Sequence, residues 1–148
     1  MTTDWTLVID TSDPHATADF WAAALGYEVE DHSVLIVALR DSGRLPDDST
    51  LQWRDREAWR DYAGLRHPDD PVDENAMGRG RRLLFQRVPE KKSTKNRLHL
   101  DLHIGAEGRA AEVARLEALG ATRLYDVDEP TGAWTTMADP EGNEFCVV

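Results

Sequence analysis

His99, Asp101 and His103 stand at every second position of Leu98-His-Leu-Asp-Leu-His-Ile104. Successive side chains of a β-strand point to opposite faces, so an imidazole, a carboxylate and a second imidazole share one face and the leucines share the other. Two kinds of chemistry are open to such a row. A carboxylate accepting from an imidazole nitrogen fixes its tautomer and makes an acid–base pair that works near neutral pH. Alternatively, His99 and Asp101, neighbours at i and i+2, hold one divalent ion, helped by Glu144 or Cys146. His99 and His103 lie roughly 13 Å apart at about 3.3 Å rise per residue, too far to share it. The candidate catalytic residues are therefore His99, Asp101 and His103, and the candidate ligands for any divalent metal are His99 and Asp101.

Cys146 is the one cysteine of the chain. It invites a nucleophile reading with His99 or His103 as activating base, weighed against a buried, inert thiol. Trp134 offers a ring face for stacking, with core packing as the alternative. The segment Glu90-Lys-Lys-Ser-Thr-Lys-Asn-Arg97 is a basic cluster in an acidic chain. Arg97, nearest the His99 strand, is its best candidate for clamping an anionic group, against a plain role in solvation. With Asp10, Gln86, Glu144 and Cys146, these residues form the candidate ligand-binding set.

Those side chains need a sheet to carry them. The chain closes on Asp139-Pro-Glu-Gly-Asn143, in which Asp139 can hold a turn, Pro140 presets φ and Gly142 accepts positive φ, so a hairpin leads into a strand over 143–148. At the other end, residues 5–10 read as a strand. Asp13 is a good N-cap and Pro14 suits the first helical turn, while Phe20, Trp21, Ala24 and Leu25 make an apolar stripe that stops at Gly26. Residues 27–30 read as strand again. The plan recurs as a strand over 98–104, a helix over 107–119 with Val113, Leu116 and Leu119 on one face, a stop at Gly120 and a strand over 122–127. The glycines are offset by 120 − 26 = 94 residues. The strand starts are offset by 99 − 6 = 93.

The fold class expected is α+β, built from a duplicated β-α-β-β-β module, with helices on one face of the sheets. Residues 33–39 and 82–88 complete the first module, about 1–90, and 133–138 and 143–148 complete the second, about 97–148. Both are expected in a single domain. Residues 41–80 read as an insertion, with a helix over 50–65 carrying Leu51, Trp59 and Tyr62, followed by mobile loop over 67–71 and 75–82. A lid, a cover for a sheet edge or a subunit contact are its possible roles.

Composition narrows the function classes. With 17 basic and 28 acidic residues the net charge is −11, which would repel a phosphate backbone, so nucleic acid is not an expected partner. The same field favours cationic small molecules. No apolar run approaches the roughly 20 residues of a membrane helix. The single cysteine and the absence of a leader-like start point to the cytoplasm.

The segments Val8–Pro14, Phe20–Tyr27, Leu83–Pro89, Asn96–Leu102 and Asp139–Phe145, in this order and spacing, resemble the vicinal oxygen chelate superfamily, and most closely its glyoxalase-like branch. That superfamily includes glyoxalase I, bleomycin-resistance proteins, fosfomycin-resistance transferases and extradiol dioxygenases. The resemblance implies two paired modules forming a curled mixed sheet around a cavity, often in a homodimer. It also implies metal-ligand places at Thr6, Gln86, His99 and Cys146. Only His99 keeps a usual ligand type, and no glutamate stands at position 86 or 146 to act as ligand or base. The expected function is accordingly the binding of a small aromatic or cationic metabolite or antibiotic. A lyase or isomerase with a non-standard metal site or His/Asp acid–base catalysis is the alternative, and a structural dimerisation module a third.

Overall fold

Two units carry the secondary structure, Met1–Pro89 and Glu90–Val148, and the boundary falls at the start of the basic cluster. A computed structural model describes Thr3 and residues 5–148. Met1, Thr2 and Asp4, part of the stretch read as leading straight into the first strand, lie outside the described residues.

In the first unit, β1 (Leu7–Thr11) runs into α1 (Pro14–Leu25). The helix starts where the sequence requires: Asp13 accepts from the amides of His15 at 3.1 Å and Ala16 at 3.0 Å. It ends at Gly26, whose φ of 68° suits a residue without a Cβ. Phe20, Trp21 and Ala24 are buried, and the helix packs on two of the unit's strands, β5 (Tyr62–Arg66) and β6 (Arg82–Arg87). With β2 (Glu28–Val29) these form a four-stranded sheet of order β1-β6-β5-β2. β1 lies parallel to β6, placing Val8 beside Leu84 and Asp10 beside Gln86; the other pairs are antiparallel.

The second unit repeats this order. It contains β7 (Asp101–Leu102), α3 (Arg109–Leu119), β8 (Thr122–Glu129), β9 (Gly132–Ala138) and β10 (Glu144–Val147), with sheet order β7-β10-β9-β8. Again the first strand is parallel to the last and the rest are antiparallel. α3 buries Val113 and Leu116 against β8, β9 and β10, while Leu119 stays 38% exposed. Gly120 closes the helix with φ 113°.

Two expectations in the first unit need correction. Residues 33–39 are not a strand but most of α2 (Ser33–Asp41). A continuous apolar run fits a buried strand or a helix equally well. Here the Asp31 carboxylate accepts from the Ser33 amide at 2.9 Å, Ile36 is fully buried, and Arg40 pairs with Glu57. Residues 50–65 are likewise not a helix. They form a hairpin of β3 (Thr50–Trp53) and β4 (Arg56–Trp59), followed by β5. The hairpin is tied to the start of α1, because His15 stacks on Trp53 with ring centroids 4.8 Å apart and its Nε2 meets the Trp59 carbonyl at 2.8 Å. The third strand of the module is therefore β5, and the added segment is α2 with the hairpin rather than residues 41–80.

The leucine side of the 98–104 segment also differs from expectation. Regular pairing covers only Asp101–Leu102. Leu98 is 76% and Ile104 43% exposed, so only Leu100 and Leu102 are even half-buried. No helix among the described residues is long and apolar enough to cross a membrane.

Candidate functional site

The second unit's last strand is aimed by the turn before it. Asp139 is buried, and its Oδ1 accepts from the amides of Glu141 at 3.0 Å and Asn143 at 2.9 Å, while its carbonyl takes the Gly142 amide at 2.8 Å. Gly142 sits at φ 88°, as the turn requires. β10 then alternates: Phe145 and Val147 are buried in the core, and Glu144, Cys146 and Val148 share the other face. The Cys146 amide donates to the Leu100 carbonyl at 2.9 Å, and Cys146 pairs with Asp101 across the parallel ladder.

This face frames a hollow of about 270 Å³ lined by His99, Asp101, Cys146, Thr136, Trp134 and Tyr125, with Lys95, Glu144 and Val148 at its margin. His99 Nε2 lies 3.2 Å from Asp101 Oδ1, both side chains being a little under half exposed. The Cys146 thiol is buried and meets Thr136 Oγ1 at 3.7 Å. Burial pushes its pKa up and the Asp101 charge adds to this, outweighing the Thr136 contact and Lys95. It is a thiol, not a thiolate, near neutral pH, which disfavours the nucleophile reading.

Glu144 has another task. Its carboxylate takes the Asn96 amide at 2.9 Å and the Lys92 ammonium at 3.1 Å, and Asn96 also donates to Asn143 at 3.0 Å. Burial works to raise its pKa, but the Asn96 and Glu144 amides and Lys92 outweigh it and hold the carboxyl below its usual range. Glu144 thus clasps the 92–96 segment to β10 and positions Lys95 at the hollow.

The structure brings together five residues named from the sequence: His99, Asp101, Trp134, Glu144 and Cys146. His103 is exposed beyond the end of β7 and is not in the lining, and Arg97 is also exposed and outside it. Asp10 and Gln86 are neighbours in the first unit, the former exposed and the latter half-buried. The sequence reading missed Tyr125 and Thr136, and within the basic cluster it preferred Arg97 where Lys95 lines the hollow. Thr136 was within reach, standing two residues after Trp134 on the same strand face, and Tyr125 pairs with Thr136.

A larger hollow of about 600 Å³ lies in the first unit beside Trp5, Thr6 and the loop carrying Asp70, Arg79 and Arg81. Its charges already answer one another. Asp70 takes Arg81 at 2.7 Å and Asp73 takes Arg79 at 3.1 Å, so it offers less unsatisfied chemistry than its size implies.

The glyoxalase-like resemblance implies a divalent ion, and the donors can be tested against one. One ligand atom each from His99, Asp101 and Cys146 lies within 4.8 Å of the others. A nitrogen, oxygen and sulfur set suits a zinc-like ion, not manganese or magnesium, which favour oxygen.

The family description "glyoxalase-like domain" matches residues 6–148. No curated protein matches the sequence. Among solved structures, a glyoxalase/bleomycin resistance protein/dioxygenase family enzyme from Burkholderia phytofirmans is similar at 16% identity and TM-score 0.58, over 96% of this chain and 94% of that one. A bleomycin-binding protein from Streptomyces verticillus, solved with copper(II)-bleomycin, is similar at 17% identity and TM-score 0.53, over 100% and 96%. The fosfomycin resistance protein FosX from Listeria monocytogenes, solved with Mn(II) and a dihydroxypropylphosphonic acid, is similar at 11% identity and TM-score 0.59, over 99% and 90%. At these identities the structures speak for the fold alone. The family match spans nearly the whole sequence, and the chain belongs to the glyoxalase-like domain family.

Proposed function

We propose that the chain binds a small aromatic or cationic compound, a metabolite or antibiotic, in the hollow of its second unit. The observation that carries this reading is the wall itself, where two aromatic side chains, Trp134 and Tyr125, stand with Asp101 around about 270 Å³. That volume lies just below the roughly 300–1,000 Å³ usual for ligand sites, which fits a compound of one or two rings. Stacking and a cation over a ring face supply the apolar and electrostatic parts of recognition, and the net charge of −11 favours encounter with a cation. Cys146 as a protonated thiol and Glu144 committed to Lys92 and Asn96 leave little nucleophilic or basic machinery on β10. The bleomycin-binding relative supports the reading as a precedent of fold.

Titration calorimetry against a panel of cationic and aromatic compounds tests it: at least one should bind, with affinity lowered in Trp134→Ala. Silence across the panel contradicts it. The same reading takes the protein as a cytoplasmic homodimer, which light scattering of the purified chain checks for mass.

One observation favours a second reading. The His99–Asp101 pair at 3.2 Å can hold and move a proton, as a lyase or isomerase would need. Once a turnover is found, Asp101→Asn should abolish it, and retained activity would remove that role.

A further inference from the structure

We infer that His99, Asp101 and Cys146 form a thiophilic metal site contained within the second unit, taking zinc or a zinc-like divalent ion. The inference rests on the same hollow as the proposed ligand site and goes beyond it. Three donors of three chemical types converge there, Asp101 and Cys146 from neighbouring strands of one sheet and His99 from the segment just before β7, all within 4.8 Å. The parallel ladder sets Asp101 directly beside Cys146, and His99 stands two residues before Asp101, with its Nε2 already 3.2 Å from the carboxylate. Tetrahedral zinc holds nitrogen and oxygen donors at about 2.0–2.2 Å and sulfur at about 2.3 Å, so donors around one ion sit closer together than the widest spacing here. His99 and Asp101 are exposed enough to swing inward by that margin, whereas Cys146 is fixed in the core. Three protein donors leave a position open toward the hollow, the arrangement of zinc sites that exchange a water or a ligand.

The donor set departs from the one the family resemblance implies. Of the four places, Thr6 and Gln86 lie in the first unit and are weak donors, and the glutamate expected at position 146 is a cysteine. Asp101, at none of those places, becomes a ligand. The consequence is a change of ion class, because a thiolate selects soft or borderline ions. On binding, the Sγ–H bond of Cys146 breaks as the Sγ–metal bond forms, and the proton passes to solvent.

Cobalt(II) is the probe, since its thiolate bond is visible. Full-length protein stripped with chelator and titrated with Co(II) should take up one equivalent per chain, with a thiolate-to-cobalt charge-transfer band and the visible absorption of a tetrahedral ion. Zn(II) should displace it and Mn(II) should not. Cys146→Ser should remove the band, with circular dichroism checking that it folds. Asp101→Asn, at a half-exposed position, should weaken binding by more than the roughly 10- to 100-fold that a supporting residue costs. His103→Ala, outside the set, should leave binding unchanged. No band at saturating Co(II), or a stoichiometry and affinity that survive both Cys146→Ser and Asp101→Asn, overturns the inference. A panel compound that still binds the stripped protein in that case leaves the hollow's ligand role standing, so the two readings fail separately.

Discussion

The two units share a strand order and differ in what they do with charge. In the first, the Glu30 side chain is fully buried just past β2, and Arg82 meets it through two bonds of 2.7 Å, Gly78 gives an amide at 2.8 Å, and His32 Nε2 stands 3.2 Å away. Each carboxylate oxygen has a partner, and a Cβ at Gly64 would overlap it. In the second, His99 and Asp101 have each other and the face of a hollow, with the Cys146 thiol beside them. Removing one member of a buried ion network is costly because it leaves the opposite charge unpaired in the interior. An open set leaves donors for a ligand. The same scaffold thus carries a structural charge cluster in one copy and a candidate binding face in the other.

The comparison predicts unequal responses to substitution. The largest should come from Glu30→Gln, which strands Arg82 in the interior and should cost about 3–5 kcal/mol in urea denaturation. Acid should give the next effect. Burial would raise the Glu30 carboxyl, but Arg82, His32 and the Gly78 amide outweigh it and hold it at about 2 against an ordinary 4.5. Because the folded value lies below the unfolded one, this stabilisation is whole above pH 4.5 and is lost as pH falls toward 2. It amounts to about 3 kcal/mol, and the acid limb of the stability curve should flatten correspondingly in Glu30→Gln. Gly64→Ala should follow at about 1–3 kcal/mol, since the new methyl must displace the carboxylate or the strand. Smallest for stability should be Asp101→Asn, within about 0.5 kcal/mol, because the residue is half-exposed and outside the core. A cost there comparable to that of Glu30→Gln would erase the distinction between the units.

The parts of the fold legible in the sequence are those whose signals are local. Asp13 and Gly26 mark α1 because capping uses residues within one turn, and Asp139 with Gly142 marks the last hairpin for the same reason. The duplicated module shows as a spacing. α2 was illegible because Val34-Leu-Ile-Val37 is apolar, mostly β-branched and unbroken, and the contacts that accompany its helical form, Asp31 with the Ser33 amide and Arg40 with Glu57, leave no periodic pattern. The β3–β4 hairpin turns through Arg54 at φ 54°, where Asn or Gly would have announced it. Within the site, alternation on the final strand and in the 98–104 segment correctly grouped His99, Asp101 and Cys146. It overreached to His103 because the ladder is shorter than the pattern. The Glu30 cluster is invisible in the sequence because its partner Arg82 is 52 residues away. Pairing at that distance leaves no mark in either segment.

The second unit's face, rather than the first unit's, should be the one that receives a ligand. The direct measurement is amide chemical-shift mapping with a compound found by calorimetry. Shifts should concentrate at Lys95, His99, Asp101, Tyr125, Trp134, Thr136 and Cys146, the residues around the smaller hollow. Shifts concentrated instead at Thr6, Asp70 and Gly78 to Arg81, around the larger hollow of the first unit, would contradict it.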